Sequence, residues 1–231
     1  MKLFIDTANL DDIRDIAGWG ILDGCTTNPS LAAREGRDFA ELIAEICDVV
    51  DGPVSAEVVA DNAEGMLAEA RLLAQIHDNV VVKVPIGVEG LKATRVLSDE
   101  GIRTNVTLIF SVTQAFMAAK AGATYVSPFV GRVDDIGGSG IGLVADIVEV
   151  FDTYAFDTEV LAASIRHIQH MVEALRVGSH VATIPPGIFR KMLVHPQTAS
   201  GMAGFMADWA KVEGGGNVVE VVQRFLDARK G

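Results

Sequence analysis

The sequence has no long apolar run, no leader-like N-terminus and only two cysteines in 231 residues. None of its apolar stretches approaches the roughly 18–20 residues needed to cross a bilayer, so we expect no membrane partner. Residues 1–6 (MKLFID) lack the apolar core and small-residue cleavage site of a signal peptide, which argues against secretion. Cys25 and Cys47 do not form a Cys-x-x-Cys motif, and this predicts free thiols in a cytoplasmic protein rather than a disulfide or a metal site.

Positive charge is scarce and scattered along the chain. There are 19 Lys and Arg residues against 31 Asp and Glu residues, a net charge of −12, and no basic run is longer than two residues. Since binding to a nucleic-acid backbone requires clustered Lys and Arg, we expect no nucleic-acid partner. A small anionic substrate is compatible with this composition, but local cations would have to bind it against an unfavourable overall field.

Eight apolar stretches typical of strands alternate with eight amphipathic stretches typical of helices. The predicted strands are 2–6, 20–26, 53–58, 79–84, 102–108, 123–128, 159–163 and 180–184, and the predicted helices lie near 10–17, 38–50, 61–77, 87–99, 111–121, 139–152, 165–176 and 186–193. This alternation implies parallel strands with right-handed crossovers. Eight units in 231 residues predict one (β/α)₈ TIM-barrel domain over residues 1–231. An open doubly wound sheet is the alternative, but residues 6–9 (DTAN) lack its usual Gly-x-Gly-x-x-Gly.

Capping residues mark several helix boundaries. Asp38, Asp61 and Ser111 precede helical patterns and are expected to cap them. Three glycines follow predicted helix ends and are expected in the left-handed conformation: Gly101, Gly122 and Gly178.

A helical extension is predicted at the C-terminus, from about residue 197 to residue 231. Its first helix, near 198–210, carries Met202, Phe205, Met206 and Trp209 at helical spacing. These side chains could pack on their own barrel or dock on a neighbouring subunit, and the sequence leaves both open. The run 214–216 (GGG) separates a last short helix at 217–228.

Polar residues follow the strands at one end of the predicted barrel. Catalytic groups of TIM barrels come from the carboxyl ends of the strands and from the loops that follow them. Seven of the eight predicted strands place such a group there: Asp6; Thr26, Thr27 and Asn28; Glu57; Lys83; Asn105 and Thr107; Ser127 and Arg132; Ser164 and Arg166. Their convergence predicts an active site at this rim.

Lys83 is the most informative of these residues, because it interrupts the apolar strand 80–85 (VVVKVP). A lysine on an edge strand can serve to block aggregation, but a closed barrel has no edge strands. Burial among valines disfavours the charged ammonium form, and a neutral amine is a nucleophile. The sequence therefore predicts that Lys83 forms a Schiff base with a ketone.

Schiff-base chemistry needs a proton shuttle, and two carboxylates are available at the same rim. Asp6 or Glu57 could move the proton of a substrate hydroxyl as a carbon–carbon bond breaks, while the other activates water. Either could instead be a structural acid that pairs with a helix N-terminus or a basic side chain.

Neutral polar side chains and two arginines complete the predicted site. Arg132 and Arg166 are suited to a terminal phosphate, although surface pairing with Asp134 or Asp135 is an equal alternative. The side chains expected to hold substrate hydroxyls, with ordinary capping and turn roles as the alternative, are Asn28, Asn105, Thr107 and Ser127.

We expect neither a metal nor an organic cofactor. His167 and His170 lie three residues apart, but no third ligand is spaced to complete a metal site. They are expected on a solvated helix face. An imine supplies the electron sink that a lyase would otherwise take from a metal.

Five segments resemble the transaldolase family and occur in the family's order. The similarity extends from residue 2 to about residue 185. Two of them, 26–31 (TTNPSL) and 127–132 (SPFVGR), are specific signatures. The other three are 4–8 (FIDTA), 83–85 (KVP) and 105–111 (NVTLIFS). The short chain resembles the compact bacterial and archaeal branch, which also contains fructose-6-phosphate aldolases.

The resemblance implies a TIM barrel that transfers a dihydroxyacetone unit in the pentose phosphate pathway. The donor would be sedoheptulose 7-phosphate or fructose 6-phosphate, and the acceptor an aldose phosphate. By position, Lys83 would form the imine, Asp6 would be the acid/base at the cleaved bond, and Glu57 with Thr107 would hold the catalytic water. The implied substrate-binding residues are Thr27, Asn28, Asn105, Ser127, Phe129, Arg132, Ser164 and Arg166. The family also implies a homo-oligomer, a pentamer or a ring-like decamer with swapped C-terminal helices.

Two positions discriminate within the family. The aldolase branch has Gln where this chain has Glu57 and Tyr where it has Phe129, and those residues favour release of dihydroxyacetone over its transfer. Both positions therefore indicate a transaldolase. The alternatives are a Schiff-base aldolase, of the fructose-6-phosphate or deoxyribose-phosphate type, and a catalytically silent barrel that binds sugar phosphates.

Overall fold

The computed structural model of the protein describes residues 1–212 and 216–230. Gly214 and Gly215 of the predicted glycine run lie outside the described residues. The chain divides into two compact units, Met1–Lys191 and Met192–Gly231. The prediction of one domain over the whole chain stays a prediction.

The first unit is built on a closed barrel of parallel strands. The strands are β1 (Lys2–Asp6), β2 (Gly24–Thr26), β3 (Val54–Glu57), β4 (Val80–Pro85), β5 (Thr104–Ile109), β6 (Tyr125–Pro128), β7 (Glu159–Ala162) and β8 (Val181–Ile184). Each strand pairs in parallel with the next, and β8 pairs with β1 to close the barrel. The predicted (β/α)₈ TIM barrel is confirmed.

Ten helices follow or connect the strands of this part of the chain. They are α1 (Leu10–Ala17), α2 (Pro29–Glu35), α3 (Phe39–Val49), α4 (Ala63–Leu73), α5 (Val88–Asp99), α6 (Val112–Lys120), α7 (Val130–Asp134), α8 (Gly140–Thr153), α9 (Ile168–Arg176) and α10 (Pro186–Met192). Helices α2 and α7 were not predicted from the sequence. Because α2 buries no side chain and α7 has only five residues, neither shows an amphipathic period.

The predicted capping residues are confirmed at all positions but one. Asp38 caps α3 by accepting a hydrogen bond from the Glu41 N–H, and the three predicted glycines have positive φ angles. Ser111 caps α6 in the same way as Asp38 caps α3. The cap of α4 is Asn62 and not Asp61, since Asn62 Oδ1 accepts from the Gly65 N–H at 2.9 Å.

An apolar layer fills the interior of the barrel below the carboxyl ends of the strands. Its members come from β1, β4, β6, β7 and β8, and since β4 pairs with none of the other four, Val81 meets them across the interior: Phe4, Val81, Tyr125, Leu161 and Val181. Alternate residues of a strand face the same side. Asp6, Lys83 and Ser127 each stand two positions after a member of this layer. They therefore face the interior one level nearer the mouth.

The second unit contains two helices, α11 (Pro196–Trp209) and α12 (Val218–Ala228). Both predicted C-terminal helices are confirmed. Their apolar side chains are largely exposed, with Phe205 78% and Val219 71% accessible. Within residues 1–212 and 216–230, no helix is long and apolar enough to cross a membrane.

Candidate active site

A polar cavity opens where the strands of the barrel end. It consists of two adjoining spaces of about 420 and 140 Å³. Both are lined by Asp6, Asn28, Lys83, Phe129 and Arg132. Glu57 and Thr107 line the larger space, and Ser127 and Ser164 line the smaller one. The structure thus brings most of the predicted site residues to one place.

Lys83 is buried at the floor of this cavity. Its Nζ lies 2.9 Å from Glu57 Oε2 and donates to the Thr27 carbonyl oxygen at 3.0 Å. The lysine and glutamate side chains are only 7% and 12% exposed. The strand register explains the pair, because Glu57 and Lys83 are partners in the β3–β4 pairing and point to the same side. The amine is therefore held by a carboxylate and a carbonyl group and faces the cavity.

Asp6 is the second carboxylate at the cavity floor. Thr26 Oγ1 donates to Asp6 Oδ1 at 2.8 Å and lies 2.6 Å from Thr183 Oγ1. Burial raises the pKa of Asp6 above its ordinary value, and the charges of Lys83 and the Thr26 hydrogen bond only partly offset this effect. The negative charge of Glu57 raises it further. A carboxyl group with a raised pKa is suited to exchange protons with a substrate hydroxyl.

Asn105 is fixed in a buried chain of hydrogen bonds. Ser127 Oγ donates to Asn105 Oδ1 at 2.6 Å, and Asn105 Nδ2 donates to Ser55 Oγ at 3.1 Å. All three side chains are at most 2% exposed. Ser55 was not predicted from the sequence, although it stands two positions before Glu57 and therefore faces the same side of β3. The chain fixes the orientation of the Asn105 amide, which lines neither of the two spaces.

Thr27 and Asn28 both have structural roles, and of the two only Asn28 lines the cavity. Thr27 Oγ1 donates to the Ser55 carbonyl oxygen at 2.8 Å, so its hydroxyl is engaged and its own carbonyl group contacts Lys83. Asn28 caps α2, its Oδ1 accepting from the Leu31 N–H at 3.0 Å, and Pro29 follows at the first helical position. Asn28 followed by Pro29 was a readable signal for the missed helix α2.

Thr107 is buried, yet its hydroxyl has no hydrogen-bond partner among the residues that the structure describes. The neighbouring Leu108 has a φ of +61°, and the β5–β6 pairing is irregular between Val106 and Ile109. Both Thr107 and Leu108 line the larger space. A buried hydroxyl without a protein partner is costly unless water or a ligand satisfies it.

Replacing Thr107 by valine tests whether this hydroxyl serves the chemistry or the fold. In Thr107→Val the free energy of unfolding should stay equal or rise, by at most about 1–3 kcal/mol, because no protein hydrogen bond is lost. The turnover rate should fall about tenfold, the cost of one hydrogen bond to a reacting water. Denaturant unfolding and steady-state kinetics measure the two effects. A loss of stability without loss of turnover would make the residue structural.

The two predicted arginines have different surroundings. The guanidinium carbon of Arg132 lies 5.0 Å above the Phe129 ring, and Arg132 has no ion pair within the described part of the chain. Arg166 instead forms a two-pronged ion pair with Asp135, at 2.5 and 2.6 Å, on the surface. It does not line either space of the cavity. Ser164, which lines the smaller space, has a φ of +58°.

The prediction of a solvated face for His167 and His170 is wrong for His170. His167 is the cap residue of α9, and His170 is 5% exposed with its Nε2 3.0 Å from Asp134 Oδ2. Burial and the neighbouring His167 lower the pKa of His170, and Asp134 opposes the shift. The missed helix α7 contributes the Asp134 carboxylate that contacts this ring. Among the described residues, no three His, Cys, Asp or Glu side chains are grouped to hold a metal.

The fold and the cavity define an enzyme-like TIM barrel with a lysine-centred polar site at the carboxyl ends of its strands. A family model described as transaldolase/fructose-6-phosphate aldolase matches residues 3–216. The chain belongs to this family.

Individual relatives agree with the family match. A protein of Rhodospirillum centenum named "Probable transaldolase" is 59% identical over 221 residues, which cover 95% of each chain. Another of that name, from Caldicellulosiruptor saccharolyticus, is 59% identical and covers 92% of this chain and 98% of the relative. A solved thiamine phosphate pyrophosphorylase from Pyrococcus furiosus has a TM-score of 0.57 at 15% identity, covering 80% of this chain and 85% of that one, and shows the fold alone. The prediction of an enzyme of the transaldolase family is confirmed.

Proposed function

We propose that this enzyme transfers a dihydroxyacetone unit from a ketose phosphate to an aldose phosphate through a Schiff base on Lys83. The observation that carries the proposal is the buried Lys83 amine, which faces the cavity and lies 2.9 Å from Glu57. A buried amine beside a carboxylate can lose its proton to that carboxylate or to a water held there. It can then attack a carbonyl carbon.

The first half of the reaction forms the imine and breaks the carbon–carbon bond. Lys83 attacks C2 of the ketose, and the carbonyl oxygen leaves as water after proton transfers through Glu57. Asp6 then takes the proton of the C4 hydroxyl as the C3–C4 bond breaks. The bonding electrons move to the imine nitrogen, which leaves a three-carbon enamine on Lys83 and releases an aldose phosphate.

The second half reverses these steps with a new aldehyde. The enamine carbon attacks the aldehyde carbon of the acceptor, and Asp6 returns its proton to the new hydroxyl. A water held by Glu57 and Thr107 then hydrolyses the imine. The hydroxyl of Thr107 supports this role, because the residue lines the larger space and the hydroxyl lacks a protein partner among the described residues.

Substrate recognition in the proposal rests on the polar residues around Lys83. Arg132 lines both spaces and its guanidinium group is available for a phosphate. Arg166 is the second proposed phosphate-binding residue, since its exposed ion pair with Asp135 can be replaced by a pair with the phosphate at little cost in free energy. The residues proposed to bind the remainder of the sugar are Thr27, Asn28, Asn105, Ser127, Phe129 and Ser164.

Two residues favour transfer over release. Glu57 can exchange a proton with water, whereas a Gln at this position cannot. Phe129 has no hydroxyl group that could orient a water toward hydrolysis of the enamine. The relatives named "Probable transaldolase" support the same choice. The competing candidate is an aldolase that releases dihydroxyacetone.

The proposed function predicts that product formation depends on the acceptor. Fructose 6-phosphate alone should give little triose, and adding erythrose 4-phosphate should raise glyceraldehyde 3-phosphate formation at least about tenfold, since transfer then outruns hydrolysis of the enamine. A coupled dehydrogenase assay measures the product. In Phe129→Tyr, the comparison variant, the ratio of product formed with the acceptor to product formed without it should be smaller. Equal triose release with and without the acceptor would establish the aldolase instead.

The activity is expected to show an acid limb above pH 3.8, the ordinary pKa of an Asp carboxyl group, because the pKa of Asp6 is raised. Asp6 must be ionised to accept the hydroxyl proton, so kcat/KM falls as the pH drops through its raised pKa. The same shift makes the folded state less stable as the pH rises from 3.8 through the raised pKa, since the buried carboxyl group prefers to keep its proton. A profile of kcat/KM from about pH 3 to 9 measures the limb. An acid limb at or below 3.8 would remove Asp6 as the base.

The proposal includes a homo-oligomer, a cytoplasmic location and a place in the pentose phosphate pathway. Exposed apolar side chains on α11 and α12 support assembly through the C-terminal unit, among them Met202, Phe205, Val219 and Phe225. The buried free thiols of Cys25 and Cys47 support a reducing compartment. Light scattering of the purified protein measures the particle mass, and a monomer would contradict the assembly.

A further inference from the structure

Helix α7 carries Arg132 but is too short to be stable alone. It has five residues, and a single helical turn in water is unstable without tertiary contacts. The orientation of Arg132 toward the cavity therefore depends on what holds the two ends of α7.

The start of α7 is held by the loop after β7. The Val130 N–H donates to the Ala163 carbonyl oxygen at 2.9 Å, and the Gly131 N–H donates to the Ser164 carbonyl oxygen at 3.1 Å. A side chain at Gly131 would meet this carbonyl oxygen at 2.5 Å, so the backbones approach as closely as a glycine allows. These contacts fix the first turn, before Arg132.

The end of α7 is held through the carboxylate of Asp134. Its Oδ1 accepts from the Gly140 N–H at 2.8 Å, and its Oδ2 lies 3.0 Å from His170 Nε2. The Asp134 side chain is 38% exposed and the His170 side chain 6%. One carboxylate therefore links the end of α7 to the start of α8 and to a buried residue of α9.

The hydrogen bonds around His170 indicate which ring nitrogen carries the hydrogen of the neutral imidazole. The Arg166 N–H donates to His170 Nδ1 at 3.3 Å, so this nitrogen carries a lone pair and the hydrogen of the neutral ring is on Nε2, which faces Asp134. The His167 ring lies against it with a centroid distance of 3.7 Å. The imidazole is thus held in one tautomer that donates to Asp134.

We propose that His170 is a positioning residue for Arg132: it anchors Asp134, and through it the end of α7, so that the guanidinium group is presented to the cavity. The inference rests on the proposed function, in which Arg132 binds the substrate phosphate. His170 itself does not line either space of the cavity. Its effect should therefore appear in the binding of phosphorylated substrates and not in the chemistry at Lys83.

The test compares His170→Leu with the unaltered protein on phosphorylated and unphosphorylated substrates. For fructose 6-phosphate with erythrose 4-phosphate, we expect KM to rise about tenfold to a hundredfold with kcat little changed, because a displaced binding group costs that much. For fructose with erythrose, kcat/KM should stay within about twofold. His170→Gln, whose amide can donate to Asp134, should restore part of the loss.

A matched control separates positioning from loss of stability. Met171→Ala alters the next buried residue of α9 and removes no contact with α7 that is described above. It should lower the thermal midpoint at least as much as His170→Leu and leave KM unchanged. The inference fails if Met171→Ala gives the same KM change, or if His170→Leu affects both substrate pairs equally.

Arg132→Gln distinguishes failure of the inference from failure of the proposed function. If Arg132→Gln raises KM for the phosphorylated pair and His170→Leu does not, the inference falls and the phosphate role of Arg132 stands. If Arg132→Gln has no such effect, that role falls and the inference falls with it. Schiff-base trapping on the unaltered protein tests the lysine chemistry separately from both.

Discussion

Lys83→Arg is expected to abolish trapping of the substrate and to lower kcat at least about a thousandfold. The guanidinium group keeps its positive charge, so it can still pair with Glu57 and leave the fold intact, but it is not a nucleophile. The unaltered protein, incubated with fructose 6-phosphate and borohydride, should gain the mass of a reduced three-carbon unit on Lys83. Mass spectrometry of the digested adduct identifies both the residue and the retained fragment.

Lys92→Arg is the matched control for this experiment. Lys92 is exposed on α5 and pairs with Glu89, and neither residue has a role in the proposed reaction. Its replacement should leave trapping and turnover unchanged. Label on any lysine other than Lys83, or trapping that persists in Lys83→Arg, would contradict the Schiff-base assignment. A folded protein with no label at all would favour the silent sugar-phosphate-binding barrel.

Asp6→Asn is expected to stop the reaction after imine formation. The amide cannot accept the proton of the C4 hydroxyl, so the C3–C4 bond should break about a hundredfold to ten-thousandfold more slowly. Lys83 and Glu57 remain, and the imine with the whole ketose can still form. Borohydride should therefore trap the six-carbon sugar phosphate on Lys83, where the unaltered protein retains three carbons.

The mass of the adduct makes this experiment decisive. Asp11→Asn, an exposed substitution on α1, is the control and should retain the three-carbon adduct. If Asp6→Asn also retains three carbons at the normal rate, another group removes the proton. If it traps nothing while its fold is intact, Asp6 acts in imine formation and the roles of Asp6 and Glu57 must be exchanged.

The residues on the floor of the cavity could be predicted because strand geometry repeats every two residues. Lys83 stands two positions after Val81 in an apolar run, and Asp6 stands two positions after Phe4. A parallel barrel places the carboxyl ends of its strands around one mouth, so polar residues at those ends converge whatever the loops do. Local pattern and a general rule of the fold were sufficient here.

The surroundings of these residues could not be predicted in the same way. The distance of 2.9 Å between Lys83 and Glu57 depends on the β3–β4 register, which no local pattern specifies. Arg34 lines the larger space from the end of α2, a helix that buries no side chain and so shows no period. Arg132 and Arg166 both follow a strand at the same rim, yet only Arg132 lines the cavity.

The eight-unit barrel, the rim that carries the candidate site and the lysine at its centre could be read from the sequence alone. These follow from hydrophobic period, strand-end position and family signatures, all of which are local along the chain. Which side chains pair and which stay available depended on the folded structure. It buried His170 against Asp134, placed Arg166 on Asp135 and left Thr107 without a protein partner among the described residues. These pairings depend on contacts between elements far apart in sequence. Geometry and desolvation there determine which of several chemically similar partners a side chain contacts.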